Sequence, residues 1–186
     1  MSNYESKKMP LIDSKDAVLL IVDMQDKLFK AMSEKEVLIS NVLKLLKFSR
    51  IMDIPVVVTE QQQLGNTLYV IRENLPDTKP ICKFSFDCFR VEAFQETLNR
   101  INRKALIITG IEAHICVMQT ALHALSDYTV HVVSDAVSSR NPNNCDAALG
   151  RLTTEGATIT TTEMVIYELL KEAGTDTFKE VLKLVK

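Results

Sequence analysis

Short apolar runs, rich in β-branched and aliphatic residues, recur along the chain and are separated by stretches with helical spacing. Four of these runs are well marked and two are weaker, and we interpret all six as strands. They cover residues 17–23, 56–60, 80–83, 105–109, 130–135 and 158–160. Because they are apolar throughout rather than alternating, they suit a parallel sheet that is covered on both faces.

Helical patterns fill the stretches between these strands. Ser33 and Glu36 form a capping box ahead of an apolar stripe, which predicts a long helix that ends before Pro55. Further helices are predicted at 94–101, from Pro142 at a first helical position to about Gly156, at 162–173 and at 177–185. The sequence therefore predicts a Rossmann-like, three-layer α/β/α sandwich with a six-stranded parallel sheet.

Composition narrows this prediction to a single ordinary globular domain. The 186 residues, of which 46% are hydrophobic and 25% charged, can bury one core, so we expect one domain over 1–186. A formal net charge of −2 argues against a nucleic-acid partner. No apolar run is long enough to span a membrane, and MSNYESKKMP lacks the apolar core of a signal peptide, so we expect a cytoplasmic protein. The long connection 61–78 suggests a lid or an oligomer arm.

Three residues that end or follow predicted strands are candidates for chemistry. Ligands of open parallel sheets bind beyond the carboxyl ends of the strands. Asp23 ends LLIVD, Lys83 follows PIC, and Cys116 lies in EAHIC just after ALIITG. Each also has a simpler explanation, since a strand-end Asp can cap a turn, a Lys can be solvated and a free Cys can pack in the core.

The position of Cys116 favours chemistry over packing. A cysteine in the first turn of a helix, after a strand and a Gly-containing turn, meets the positive end of that helix. We therefore expect its pKa to lie below that of a free thiol, because the helix end and a neighbouring Lys83 ammonium should outweigh the like charge of Asp23. The backbone N–H groups of the same turn could serve as an oxyanion hole.

The other motifs that could carry chemistry are weak or missing. The four cysteines include no C-x-x-C pair, and we expect Cys82, Cys88 and Cys145 to pack. His114 and Cys116 give a single H-x-C without a second ligand pair, so we expect no zinc site. There is no dinucleotide, P-loop or serine-hydrolase motif. We therefore expect neither a metal nor a cofactor.

Four segments, spread over about 13–164, resemble the isochorismatase-like hydrolases: VLLIVDMQ, CKFSF, TGIEAHICVMQTAL and VVSDAVSSR. The resemblance implies a six-stranded parallel sheet between helices and a catalytic triad of Asp23, Lys83 and Cys116. It also implies a cis peptide at Ile111-Glu112 and an oxyanion hole formed by the N–H groups of Glu112 and Cys116.

Two departures from the family refine the expected function. The stretch VVVTEQQQLGN lacks the Asp-x-His metal motif of nicotinamidases, and Cys116 is absent from isochorismatases proper. We therefore expect a metal-free, homo-oligomeric cysteine hydrolase that cleaves a small amide or related C–N substrate through a thioester. The expected substrate-binding residues neighbour the triad in sequence: Gln25, Phe29, Gln61, Phe84, Phe86 and Ile115. A non-catalytic scaffold and a redox-sensing thiol protein remain alternatives.

Overall fold

The structure is a computed structural model that describes residues 11–185. Its strands are β1 Ala17–Val22, β2 Val56–Gln61, β3 Ile81–Lys83, β4 Ala105–Ile111, β5 Thr129–Ser138 and β6 Thr158–Thr160. Its α-helices are α1 Asp26–Phe29, α2 Lys35–Ile51, α3 Tyr69–Arg72, α4 Glu92–Ile101, α5 Met118–Ala124, α6 Pro142–Thr154, α7 Thr162–Leu170 and α8 Asp176–Val185. A 3₁₀ turn, Cys88–Arg90, precedes α4, and a π-helical turn, Ala113–Val117, precedes α5.

All six strands form one parallel sheet in the order β3-β2-β1-β4-β5-β6. The chain moves outward from β1 to β3 and then crosses to β4 on the other side of β1. The boundary between β1 and β4 is therefore the topological switch point, where ligands of this architecture bind beyond the strand ends. The predicted three-layer fold is confirmed.

Helices cover both faces of the sheet. Successive residues of a strand point to opposite faces, so alternate residues are buried against different helices. Leu19 and Ile21 of β1 belong to one core cluster with α2, α7 and α8. Val18, Leu20 and Val22 belong to a second cluster with α4, α5 and α6. All six residues of β1 are buried, which explains why its sequence is apolar throughout.

The structure corrects three local predictions. Ser33 does not form a capping box, because its hydroxyl donates to the Ser139 carbonyl at 2.8 Å and α2 begins after Glu34, which has φ +46°. Gly110 lies inside β4 rather than in a turn after it. Cys82 is exposed instead of packed, because β3 is the edge strand of the sheet.

Gly110 is required by the close approach of β1 and β4 at the switch point. Its φ is +113°, and an added Cβ would lie 2.1 Å from the Val22 carbonyl oxygen and 2.6 Å from the Val22 nitrogen. These neighbours are backbone atoms of the central strand, which cannot move aside as a side chain can. The site described below is built on this approach.

Replacing Gly110 by Ala is therefore expected to reduce the free energy of unfolding by about 3 kcal/mol or more, because backbone strain and overpacking add. The measurement is urea denaturation. Gly150→Ala is the matched control, since no atom lies within 4 Å of its Cβ position in α6 and a helical alanine should stabilise by about 0.5–1 kcal/mol. Equal midpoints for the two variants would contradict this account.

His131 of β5 is a buried titratable residue inside the sheet. It is 5% exposed, and its Nδ1 has no hydrogen-bond partner among the described residues. Burial lowers the pKa of His131 below its ordinary value of 6.5, and the nearby Glu168 offsets this only in part. His131 is therefore neutral in the folded protein near neutral pH.

The depressed pKa predicts a loss of stability at acid pH. Below about 6.5 the unfolded chain binds a proton at His131 that the folded protein does not bind, so the free energy of unfolding falls until the folded residue also protonates. His131→Leu should remove this contribution. The stability difference between the variant and the parent is measured at pH 7.5 and pH 5.5, and it should favour the variant more at the lower pH. A difference independent of pH would exclude this role.

Two of the sequence predictions concern membrane-spanning segments and the N-terminus. No helix within residues 11–185 is both long and apolar enough to cross a membrane. The N-terminal stretch MSNYESKKMP, on which the expectation of a cytoplasmic protein depends, lies outside the described residues.

Candidate active site

Asp23 lies immediately beyond the end of β1, at the switch point, and is completely buried. Its backbone is left-handed, with φ +49°, a conformation that Asp tolerates better than most residues. Its N–H donates to the Thr59 carbonyl of β2 at 3.2 Å. This hydrogen bond continues the pairing of β1 with β2 and holds Asp23 beside β2, at the carboxyl end of the sheet.

Lys83 ends β3 and extends its side chain across the end of β2 to reach Asp23. Its ammonium donates to Asp23 Oδ2 at 2.6 Å, to Gln61 Oε1 at 2.8 Å and to the Ser85 carbonyl at 3.2 Å. Both side chains of the ion pair are fully buried. Because an ammonium has three N–H donors, these contacts use all of them. Lys83 therefore holds Asp23 and has no donor left for another group.

Cys116 lies in the π-helical turn that connects β4 to α5, as expected for a first turn after a strand. The preceding Ile111-Glu112 peptide bond is cis, as predicted. The Glu112 carboxylate is buried and accepts from the Arg140 backbone N–H at 3.0 Å and from Arg140 Nε at 3.1 Å. These contacts tie the turn to the end of β5. Only 5% of Cys116 is exposed.

The electrostatics of the site differ from the prediction for Cys116. Burial raises the pKa of the Cys116 thiol well above its ordinary value, the Asp23 carboxylate raises it further, and Lys83 offsets only part of this. The expected lowering of this pKa is wrong, because desolvation and a neighbouring carboxylate outweigh the ammonium. The resting thiol is therefore protonated at neutral pH.

Lys83 remains charged in the same site. Burial alone would lower the pKa of Lys83, but the Asp23 carboxylate and the Cys116 and Cys88 thiols act in the opposite direction and raise it overall. A carboxylate paired with a charged lysine thus lies beside a neutral thiol. Ionisable groups with strongly shifted pKa values cluster at functional sites.

Gln25 and Gln61, both predicted to bind substrate, have protein partners for their amide groups. Gln25 is fully buried, and its Nε2 donates to the carbonyls of Gln61 at 2.9 Å and Gly65 at 2.6 Å. Its Oε1 accepts from the Gln61 backbone N–H at 2.8 Å. Gln61 in turn binds Lys83 and donates to the Phe84 carbonyl at 2.7 Å. These contacts attach the start of the 61–78 connection to the site.

The apolar residues predicted to line the pocket differ in exposure. Phe84 and Phe86, which flank the carbonyl that binds Lys83, are 74% and 52% exposed. Ile115, next to Cys116, is half-buried and packs against the α4–α5–α6 core. Phe29 of α1 is half-buried against the opposite core. Phe84 and Phe86 therefore have the largest surface free to contact another molecule.

Thr59, which the sequence did not single out, and Cys88, which was expected to pack and is buried, also belong to the site. Thr59 of β2 is fully buried and donates to Asp23 Oδ1 at 2.8 Å. The buried Cys88 thiol lies 4.0 Å from Thr59 Oγ1, and burial raises its pKa to about 11. The only signal for Thr59 in the sequence was a hydroxyl near the end of an otherwise apolar run.

Among residues 11–185, no group of three or more His, Cys, Asp or Glu side chains could hold a metal ion.

The protein is a three-layer α/β sandwich, and its switch point holds a cluster of buried ionisable residues of the kind that occurs in enzyme active sites. An isochorismatase domain matches residues 17–164. The chain is 36% identical over 189 residues to a secreted isochorismatase effector of Phytophthora sojae, an alignment that covers 97% of this chain and 90% of the relative. The chain belongs to the isochorismatase family, which is a family of hydrolases.

Two solved structures share the fold over nearly the whole chain. The MAR1 ribonuclease of Caenorhabditis elegans is 33% identical, with a TM-score of 0.88 over 95% of this chain and 92% of that one. YcaC of Pseudomonas aeruginosa, solved with hexane-2,5-diol and covalent acrylamide, is 27% identical, with a TM-score of 0.90 over 96% and 93% of the two chains.

Lys83→Met is expected to lower the free energy of unfolding by about 3–5 kcal/mol, because it leaves the buried Asp23 carboxylate without its counter-ion. Adding Asp23→Asn should recover part of this loss, since the uncompensated charge is then gone. Lys179→Met is the matched control, because the Lys179–Asp176 pair is exposed and should contribute less than about 1 kcal/mol. Urea denaturation of the four proteins measures this coupling. A double variant no more stable than Lys83→Met would argue against the ion pair as the cause.

Proposed function

We propose that this protein is a cysteine-dependent hydrolase of a small amide or related C–N substrate, with Cys116 as nucleophile and a thioester intermediate. One observation carries the proposal: a buried carboxylate in an ion pair with a lysine neighbours a buried thiol that is protonated at rest. Such a pair suits proton transfer during attack better than a permanently ionised thiolate does.

In the first half-reaction, the Asp23 carboxylate takes the thiol proton as the Cys116 sulfur attacks the substrate carbonyl. The new C–S bond gives a tetrahedral oxyanion, which the N–H groups of Glu112 and Cys116 stabilise. Protonated Asp23 then gives its proton to the leaving nitrogen, and the C–N bond breaks. The products are a free amine and a Cys116 thioester.

In the second half-reaction, Asp23 takes a proton from a water molecule that attacks the thioester carbonyl. The C–S bond of this second tetrahedral intermediate breaks, and the proton returns to the sulfur. The acid leaves and the resting thiol is restored. Lys83 takes no part in proton transfer, because its three donors are already used; it holds Asp23 and stabilises its charged form.

The pocket residues divide into two groups in this proposal. Phe84, Phe86, Ile115 and Phe29 contact the substrate through apolar surface. Gln25 and Gln61 act indirectly, because their amide groups hold the 61–78 connection and Lys83.

The low exposure of Cys116 favours a small-molecule substrate. The proposed function requires neither metal nor cofactor. We further propose a homo-oligomer in the cytoplasm.

The names of the two solved relatives suggest different tests. Acrylamide is a carbon electrophile that alkylates thiols, so its covalent presence in the Pseudomonas protein supports soft electrophiles as probes for Cys116. The Caenorhabditis protein is called a ribonuclease. A net charge of −2 and a nearly buried thiol argue against RNA as the substrate here. Assaying RNA beside small amides separates these activities.

Cys116→Ala is expected to abolish hydrolysis and the trapping of an acyl group, because no nucleophile remains. The measurement is a screen of small amides and carbamates, in which mass spectrometry detects the acylated peptide. Cys145→Ala is the matched control, since Cys145 lies on α6 away from the described contacts of Asp23, and it should retain turnover. Added chelator should leave the rate unchanged.

Retained turnover in Cys116→Ala would overturn the proposal. Selective alkylation of Cys116 without any turnover would favour the scaffold alternative. Rapid oxidation of Cys116 by peroxide, again without hydrolysis, would favour the redox-sensing thiol.

A further inference from the structure

Thr59 makes two contacts with Asp23, one through its backbone and one through its side chain. Its backbone carbonyl accepts the Asp23 N–H at 3.2 Å, and its hydroxyl donates to Asp23 Oδ1 at 2.8 Å. The first contact supports the left-handed turn at Asp23, and the second orients the carboxylate. Because Lys83 occupies Oδ2, each carboxylate oxygen has one fixed donor.

We infer that Thr59 is a positioning residue for the reaction: its hydroxyl holds the Asp23 carboxylate in the orientation in which it faces Cys116. This inference rests on the proposed function, in which Asp23 is the base. A carboxylate that is fixed at Oδ1 by Thr59 and at Oδ2 by Lys83 cannot rotate freely about its Cβ–Cγ bond. The Thr59 hydroxyl therefore sets the direction in which the carboxylate meets the thiol.

The surroundings of Thr59 explain why its hydroxyl proton is directed at Asp23. Thr59 is completely buried, so water does not compete for the hydroxyl. The Cys88 thiol lies 4.0 Å from Thr59 Oγ1 and can donate weakly to it, which leaves the Thr59 proton for Asp23. Cys88 is itself held from α5, because its N–H donates to Thr120 Oγ1 at 3.1 Å.

The charged and titratable groups that surround Asp23 come from three other segments. Lys83 extends from β3, Cys116 from the turn before α5 and Cys88 from the 3₁₀ turn before α4. The two thiols are neutral near pH 7, because burial raises the pKa of both. Lys83 and Thr59 therefore hold the carboxylate together, one at each oxygen.

The test is the rate of iodoacetamide alkylation at Cys116 at pH 7, with the modified residue located by mass spectrometry. In the proposed function Asp23 accepts the thiol proton as the sulfur attacks, so a carboxylate that is turned away should slow alkylation. In Thr59→Val, which keeps the shape but removes the donor, we expect the rate to fall about tenfold. Thr59→Ser keeps the donor and should retain the parent rate.

Thr109→Val is the matched control for a purely structural effect. Thr109 of β4 is also fully buried, but its hydroxyl donates to the Leu20 carbonyl at 3.1 Å instead of to Asp23. Both Val variants should lose thermal stability, whereas only Thr59→Val should slow the alkylation of Cys116. Should Thr59→Val not fold, Thr59→Ala removes the same donor and should slow alkylation to the same extent.

The outcomes separate this inference from the function on which it rests. Selective alkylation of Cys116 at equal rates in the parent and Thr59→Val would overturn the role of Thr59 alone. An equal loss of rate in Thr109→Val would assign the effect to general loosening of the structure and overturn it as well. If the parent protein alkylates no faster at Cys116 than at Cys145, the nucleophile assignment fails first, and the role of Thr59 fails with it.

Discussion

The buried ion pair between Asp23 and Lys83 is the contact on which the site depends. It joins the ends of β1 and β3, two strands that β2 separates, so it can form only when all three strands are in register. Removing two charges from water is costly, and their mutual attraction offsets this only when the remaining donors and acceptors are also bonded. Gln61, Ser85 and Thr59 provide those bonds.

The position of this pair follows from the topology of the sheet. β1 pairs with β4 along its whole length, from Ala17 opposite Ala105 to Val22 opposite Gly110. The absence of a side chain at Gly110 lets β4 lie close to β1, so that the turn carrying Cys116 begins beside Asp23. The proposed nucleophile and the proposed base thus come from neighbouring strand ends, although 93 positions separate them in sequence.

Local and tertiary effects act on the Cys116 thiol in opposite directions. The start of a helical turn and the Lys83 ammonium both favour the thiolate. Burial and the Asp23 carboxylate favour the thiol, and their combined effect is larger. The resting site is therefore a neutral thiol beside a charged carboxylate. In the proposed mechanism, proton transfer therefore belongs to the chemical step, and the orientation of Asp23 matters for this reason.

Much of the fold and the main residues of the site could be predicted from the sequence. Apolar runs predicted all six strands, because residues of a parallel sheet covered on both faces are buried on both sides. Asp23, Lys83 and Cys116 stood out because each follows a strand, and strand ends of a parallel sheet meet at one edge. Those inferences need only periodicity and order along the chain.

Only the tertiary structure decided how side chains share partners and solvent. Ser33 looked like a helix cap by its spacing, but a distant carbonyl accepts its hydroxyl. Gln25 and Gln61 looked like pocket residues, yet their amide groups bond to the protein. The pKa of Cys116 rises rather than falls, because burial and the charge of Asp23 depend on segments far away in sequence. Local pattern specifies which element a residue belongs to, whereas hydrogen-bond partners and desolvation arise only when those elements pack.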